Sequence, residues 1–307
     1  MNKYLLPNGM EDVLYPNAST KRQTINAILD AFCTAGYKEI APPLIEFEDT
    51  LINEHFPAIN SQTFRMMDTL THKMLGIRAD MTMQVARIAK SRLKNESLPL
   101  RLCYAGDVFR VKGEGLYKER QITQAGLELI GDDTATADVE VITTTVDTLR
   151  AIGMNDVCVD LNIPSLVEIL LDELEIENRD DVRKTLNKKD VASIDNELLR
   201  KIVLLTGDAD TALAKLSALS LPDKAKDLCA NLKEIVSLLQ ARDISITIDI
   251  SETRGFNYYT GVAFGIFSKS AKTEIGRGGR YGLCGDVSGV GVSLYVNEIL
   301  RGLAVSA

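Results

Sequence analysis

The chain contains no tryptophan, only two histidines (His55 and His72) and no Cys-x-x-Cys pair among its five cysteines. Each scarcity removes a class of chemistry. Neither histidine lies at helical ligand spacing from the other, so a histidine-built metal centre or a histidine-dependent triad is not expected. Cys33, Cys103, Cys158, Cys229 and Cys284 are odd in number and widely scattered, which argues against a disulfide framework and against zinc. No apolar run approaches a membrane span, and the N-terminus from Met1 to Pro7 lacks the apolar core of a secretory signal. The expectation is a cytoplasmic chain with no membrane contact. A net charge of −8 disfavours a dedicated nucleic-acid binder, and the one basic cluster, Ala89 to Lys94, reads as a solvated helix face.

What is present is a 307-residue chain with 45% hydrophobic content, enough for a substantial core. Ile25, Ile28, Leu29 and Phe32 fall at helical spacing and predict a helix from Ala18 to Tyr37 with Gly36 as its stop. Lys38 to Phe47 reads as an extended segment broken by Pro42 and Pro43, and Met81 to Leu93 as another helix. Leu100 to Arg110 and Gln121 to Gly131 predict two antiparallel strands around a long loop. In the second strand a period of two puts Gln124, Gly126 and Glu128 on one face and Ala125, Leu127 and Leu129 on the other. A helix over Ala137 to Ile152 and a short strand over Val157 to Leu161 follow. From Ser165 to about Ala241 the chain is rich in Leu, Lys, Asp and Glu, with caps expected at Asp180, Ser193, Asp208 and Pro222. This predicts a helical insertion or helical layer over about 165–241, after which the strand pattern returns at Ile244.

The segment Thr253-Arg254-Gly255-Phe256-Asn257-Tyr258-Tyr259-Thr260-Gly261 places one cation and two adjacent phenols where one strand ends and the next begins. Such positions are where binding groups are commonly mounted. Gly276-Arg277-Gly278-Gly279 lacks the Gly-Lys-Ser/Thr ending of a P-loop and the context of a dinucleotide fingerprint. It reads instead as a strand that lets another group approach its backbone.

Together these segments resemble the catalytic core of histidyl-tRNA synthetase over nearly the whole chain. Gly36-Tyr37 to Pro43 is similar to motif 1, Phe109-Arg110 to Gly131 to the motif 2 hairpin, and Arg254-Gly255 through Tyr258-Tyr259 to the histidine motif. Gly278-Gly279-Arg280-Tyr281 is a further hallmark. The resemblance implies an α+β fold of the class II aminoacyl-tRNA synthetase type, an antiparallel sheet flanked by helices with a helical insertion, in one domain spanning 1–307. It also implies a histidine pocket made by Asp80, Thr82, Gln124, Glu128, Arg254, Tyr258 and Tyr259, with Arg110 as the motif 2 arginine. In this reading Asp80, Thr82 and Gln124 hold the ammonium, Arg254 the carboxylate, and Glu128 with Tyr259 the ring.

The nucleotide half departs from the family. Lys112 stands where a glutamate is expected, Lys118 where a loop arginine is expected, and Glu298 in the place of the motif 3 arginine, while Asn257 replaces an aspartate in the histidine motif. An anion at Glu298 is expected to repel a triphosphate. The chain is also expected to carry no anticodon-binding domain after Leu303. This combination is similar to the family of regulatory subunits of ATP phosphoribosyltransferase. That resemblance implies a non-catalytic protein with no cofactor and no transfer RNA, partnered by a short catalytic subunit. A homodimer within a hetero-oligomer and L-histidine as effector are the further expectations. The alternatives are a synthetase paralogue that activates an amino acid with ATP, and a scaffold whose pocket is a relic.

Overall fold

The computed structural model describes residues 4–51, 57–113, 118–252, 258–283 and 287–306. The predicted first helix is α1 (Asn17–Thr34), followed by β1 (Lys38–Glu39), β2 (Ile45–Phe47), α2 (Glu48–Leu51), α3 (Pro57–Gln62), β3 (Phe64–Met67) and β4 (Met74–Ile77). Next come α4 (Thr82–Ser91), the long hairpin β5 (Leu100–Phe109) and β6 (Gln121–Ile130), α5 (Ala135–Ala151) and β7 (Val157–Asn162). The helical stretch comprises α6 (Pro164–Glu173), α7 (Arg179–Asn187), α8 (Glu197–Val203), a short β8 (Thr206–Asp208), α9 (Ala209–Ser217) and α10 (Asp223–Gln240). The chain closes with β9 (Ile246–Asp249), β10 (Tyr259–Ser268), β11 (Thr273–Gly282), β12 (Ser288–Tyr295) and α11 (Val296–Ser306). Among the described residues no helix is long and apolar enough to cross a membrane.

Nine strands form one sheet in the order β1-β5-β6-β12-β11-β10-β7-β9-β8, and a separate small sheet has the order β2-β4-β3. The large sheet is antiparallel through its centre, as expected, but the pairs β1/β5 and β7/β9 are parallel. A parallel pair needs a long crossover, because a two-residue turn cannot return the chain to the same end of the sheet. The crossover from β7 to β9 is the helical stretch itself. Its side chains Leu170, Leu171, Ile202, Leu232 and Leu239 share one buried cluster with Phe264 and Ile266 of β10 and with Ala125, Leu127 and Leu129 of β6. The stretch therefore forms a helical layer on the main core.

Of the expected caps, Asp208 accepts from the Thr211 amide at 3.0 Å and Pro222 immediately precedes α10. Asp180 instead lies in the first turn of α7, and Ser193 ends a single 3-10 turn. The working cap there is Asn196, which accepts from the amides of Leu198 and Leu199. Asparagine three residues on satisfies the orphan amides that Ser193 was expected to serve.

The sheet is fixed to α5 by a buried ion pair. Arg280, 7% exposed, donates to Asp138 at 2.8 Å and to the carbonyls of Asp132 and Thr134 at 2.7 and 3.1 Å. This gives the Gly-Gly-Arg-Tyr hallmark a structural task for its arginine. Burial raises the Asp138 carboxyl and the facing Arg280 opposes that shift. Asp138→Ala strands the guanidinium in the interior, and a loss of about 3–5 kcal/mol is expected from urea unfolding.

Candidate functional site

The face of the large sheet opposite the helical layer carries a second buried cluster that includes Met81, Leu102, Tyr104, Tyr259, Ala263 and Tyr281. Strand register decides which side chains meet there. Tyr104 of β5 pairs with Gly126 of β6, which pairs with Ser293 of β12, which pairs with Arg277 of β11. In the adjoining row Leu102, Glu128, Gly291, Gly279 and Ala263 follow one another across five strands. The polar row of β6 thus faces this cluster, while Ala125, Leu127 and Leu129 enter the helix-side core.

Glu128 is completely buried. Tyr281 Oη donates to its Oε2 at 2.7 Å and Tyr104 Oη to its Oε1 at 3.3 Å, while Tyr104 also meets Ser293 Oγ at 3.0 Å. Burial pushes the Glu128 carboxyl up to about 8, against the hydroxyls of Tyr281, Thr82 and Tyr104, which lower it. Two glycines make this arrangement possible. A Cβ at Gly291 would lie 1.7 Å from Glu128 Oε2, and one at Gly126 would lie 2.5 Å from the Tyr104 hydroxyl.

Beside Glu128 stands a second polar unit. Gln124 Nε2 donates to Asp80 Oδ2 at 2.8 Å, the Thr82 amide donates to Asp80 Oδ1 at 2.9 Å, and the Met81 amide donates to Gln124 Oε1 at 3.3 Å. Tyr258 Oη donates to Tyr259 Oη at 2.6 Å. Burial raises Tyr258 first, and Asp80 and Glu128 add to the shift. The structure therefore brings together Asp80, Thr82, Gln124, Glu128, Tyr258 and Tyr259. Arg254 and Asn257 lie outside the described residues.

The nucleotide-side residues are arranged differently. Arg110 is half-buried and its Nε donates to the Ala79 carbonyl at 3.5 Å. Lys112 and Lys118 are exposed on the β5–β6 loop, and Lys118 has a φ of 52°. Glu298 lies in the first turn of α11 and accepts from Arg301 at 2.6 Å; Arg301 also pairs with Glu119. Arg301 is thus shared between two carboxylates, and the second oxygen of Glu298 is buried with no hydrogen-bond partner among the described residues. The residue at the end of β12 that shares the site face is Tyr295, opposite Gln124.

Several site residues were not singled out from the sequence. Tyr104, Ser293 and Tyr295 lie on this face, and period-two alternation on β5 and β12 was the available signal. Arg277 makes a bidentate pair with Glu274, both bonds 2.7 Å. A simple strand would put residues three apart on opposite faces. A register shift between Ile266 and Phe267 in the β10–β11 pairing brings these two together.

A family model described as histidyl-tRNA synthetase matches residues 9–299. The ATP phosphoribosyltransferase regulatory subunit of Paramagnetospirillum magneticum is 41% identical over 98% of this chain and 82% of that protein. The regulatory subunit of Rhodospirillum centenum is 41% identical over 97% and 80%. Among solved structures, an ATP phosphoribosyltransferase regulatory subunit/histidyl-tRNA synthetase from Bacillus halodurans superposes with a TM-score of 0.86 at 26% identity, covering 99% of this chain and 84% of that one. A chain of the ATP phosphoribosyl transferase (HisG:HisZ) complex from Thermotoga maritima shares the fold, with a TM-score of 0.70 at 20% identity over 90% and 97%.

The raised Glu128 carboxyl has a measurable consequence for stability. Between about 4.5, its ordinary value, and about 8 the folded chain keeps a proton that the unfolded chain has released. Stability contributed by that proton is therefore fully present below the lower value and lost as pH rises through the upper one. Glu128→Gln should flatten this fall, and the difference between the two proteins in urea unfolding across that window is the check.

Proposed function

The chain belongs to the histidyl-tRNA synthetase family, in the branch of the ATP phosphoribosyltransferase regulatory subunits, and from that membership we propose that it reports histidine to a separate catalytic subunit. The catalytic partner transfers phosphoribosyl from phosphoribosyl pyrophosphate to ATP, the first step of histidine biosynthesis. This chain supplies binding and regulation and performs no aminoacylation in this reading.

The observation that carries the reading is the cluster around Glu128. An amino acid with an imidazole ring offers an ammonium, a carboxylate and a ring that both donates and accepts. Asp80 with Gln124 and Thr82 suits the first, and Glu128 with Tyr259 suits the ring; Arg254 is assigned the carboxylate. The partners sit in a water-poor site where an unmatched polar group is costly, which gives selectivity for a ligand that satisfies all of them. Feedback requires the ligand to bind two assembly states unequally, since equal binding shifts no equilibrium.

The apolar face of the small sheet supports self-association. Ile45 and Phe47 of β2, Phe64 and Met66 of β3 and Leu75 and Ile77 of β4 share one side by register, and Ile45, Phe47 and Met66 are each about 40% exposed. We assign this face to a homodimer contact, because a cluster of this kind loses area to water when two copies meet.

A second reading is favoured by one observation: Arg110 is retained beside the site, close enough that its charge, with that of Arg277, opposes the upward shift that burial gives the Tyr295 phenol. It would let the protein activate an amino acid with ATP. Pyrophosphate exchange that depends on an amino acid is the outcome that would select it.

Calorimetry with L-histidine is expected to show binding to the wild type and at least about a tenfold loss in Glu128→Ala, the scale of one buried polar group left without its hydrogen-bond partner. Co-purification with the catalytic subunit, followed by transferase assays with and without L-histidine, tests the function. A complex whose activity and histidine response equal those of the catalytic subunit alone would sink it.

A further inference from the structure

We propose that Arg78 is a positioning residue that couples the apolar face of the small sheet to the amino-acid pocket. This rests on the reading of both as functional surfaces. Arg78 is 7% exposed, yet among the described residues no carboxylate lies within ion-pair distance of it. Its guanidinium is spent on oxygens from three separate segments. Nε donates to the Asp107 carbonyl at 2.8 Å, and Nη1 to the Pro42 carbonyl at 2.8 Å and to Gln84 Oε1 at 3.5 Å. Its amide donates to the Leu44 carbonyl at 3.1 Å and its carbonyl accepts from the Phe109 amide at 2.9 Å. The sequence makes room for it, since a Cβ at Gly106 would lie 2.2 Å from Nη2.

A buried cation satisfied by dipoles alone is an expensive way to stabilise a fold. Burial depresses the Arg78 guanidinium, while the charges of Asp107 and Glu46 oppose that shift. What the residue provides is position, and it does so between two surfaces. On one side Pro42-Pro43-Leu44 leads directly into β2, whose Ile45 and Phe47 lie on the apolar face. Prolines have no amide hydrogen for a ladder, so this stretch is held through its oxygens: Pro42 by Arg78, and Pro43 by Gln84 Nε2 at 2.6 Å. Glu46, on the inner side of β2, accepts from Gln84 at 2.8 Å and from Arg87 Nε at 2.9 Å.

On the other side Arg78 lies two residues before Asp80, and the helix that supplies Gln84 and Arg87 begins at Thr82. Asp80 holds Gln124, and the Thr82 hydroxyl serves Glu128. One continuous segment, residues 78–87, therefore grips β2 with some side chains and the pocket with others. Burial of Ile45 and Phe47 against a second copy that moves β2 must move Asp80 as well, and ligand at Asp80 acts back on β2 by the same free energy.

Arg78→Lys keeps the charge but lacks the planar fork that spans the Asp107 and Pro42 carbonyls. Gln84→Ala cuts the Pro43 and Glu46 contacts and the long bond from Arg78 Nη1 while keeping the Arg78 bonds to the Asp107 and Pro42 carbonyls, and serves if the lysine variant does not fold. The measurement is the dimer dissociation constant with and without L-histidine, together with hydrogen exchange at the Met81 and Thr82 amides on dilution to monomer. In the wild type, histidine is expected to shift the constant by about fivefold or more, and dissociation to accelerate both amides; in the variants the shift falls below about twofold. A variant that keeps the full shift, or a wild-type dimer whose dissociation leaves both amides unchanged, overturns the coupling. Failure of histidine to bind sinks the pocket reading alone, because the amide exchange still decides the coupling. A chain that is monomeric at every concentration overturns the coupling and the dimer contact together.

Discussion

The polar cluster depends on one constraint: a fully buried carboxyl group, Glu128, must be surrounded by hydroxyl partners without touching water. Meeting it dictates the floor around it. Gly291 leaves space for the carboxylate and Gly126 for the Tyr104 ring, while Tyr281 must turn inward as its neighbour Arg280 turns toward α5. Residues that look unrelated along the chain are thus parts of one solvation problem. Burying a polar group is tolerable only where its partners are already in place.

The same constraint explains how much of the site was legible in the sequence. Alternation along β6 separated Gln124 and Glu128 from the apolar row, and the structure keeps that separation because a strand has no other way to orient its side chains. The helix over Asn17–Thr34 and the β5–β6 hairpin were legible for similar reasons: their periodicity is local. Other features depend on pairings between distant segments. The parallel pairs β1/β5 and β7/β9, the small sheet and the Glu274–Arg277 contact across a register shift have no local signal. Glu298 shows a further limit. Motif spacing places the residue, but its pairing with Arg301 three positions on follows from the helix that brings the two side chains together.

The two halves of the site differ in how they are held. The side proposed to meet an amino acid is held by short bonds between Asp80, Gln124 and Thr82, whereas the loop expected to meet a nucleotide presents Lys112 and Lys118 to solvent. Preorganised groups bind without the entropic cost of ordering them. Solvent-exposed cations contribute less to the fixed field that phosphoryl chemistry requires, because water screens them. This contrast agrees with the proposed division of labour, in which the chemistry resides in another polypeptide.

The crossover between β7 and β9 bears on how the chain reaches this state. Asp160 and Thr247 are neighbours across that pair although 87 positions separate them, so their contact closes a large loop containing five helices. Closing it costs little more entropy than closing one half as long, but distant pairings are slow to find. The central hairpin β5–β6 has no such wait. Assembly should therefore begin at the strands bearing Glu128 and end with the helical layer, an order that pulsed hydrogen exchange can read directly. The face that carries Glu128 would then take shape before the outer edge of the sheet is sealed.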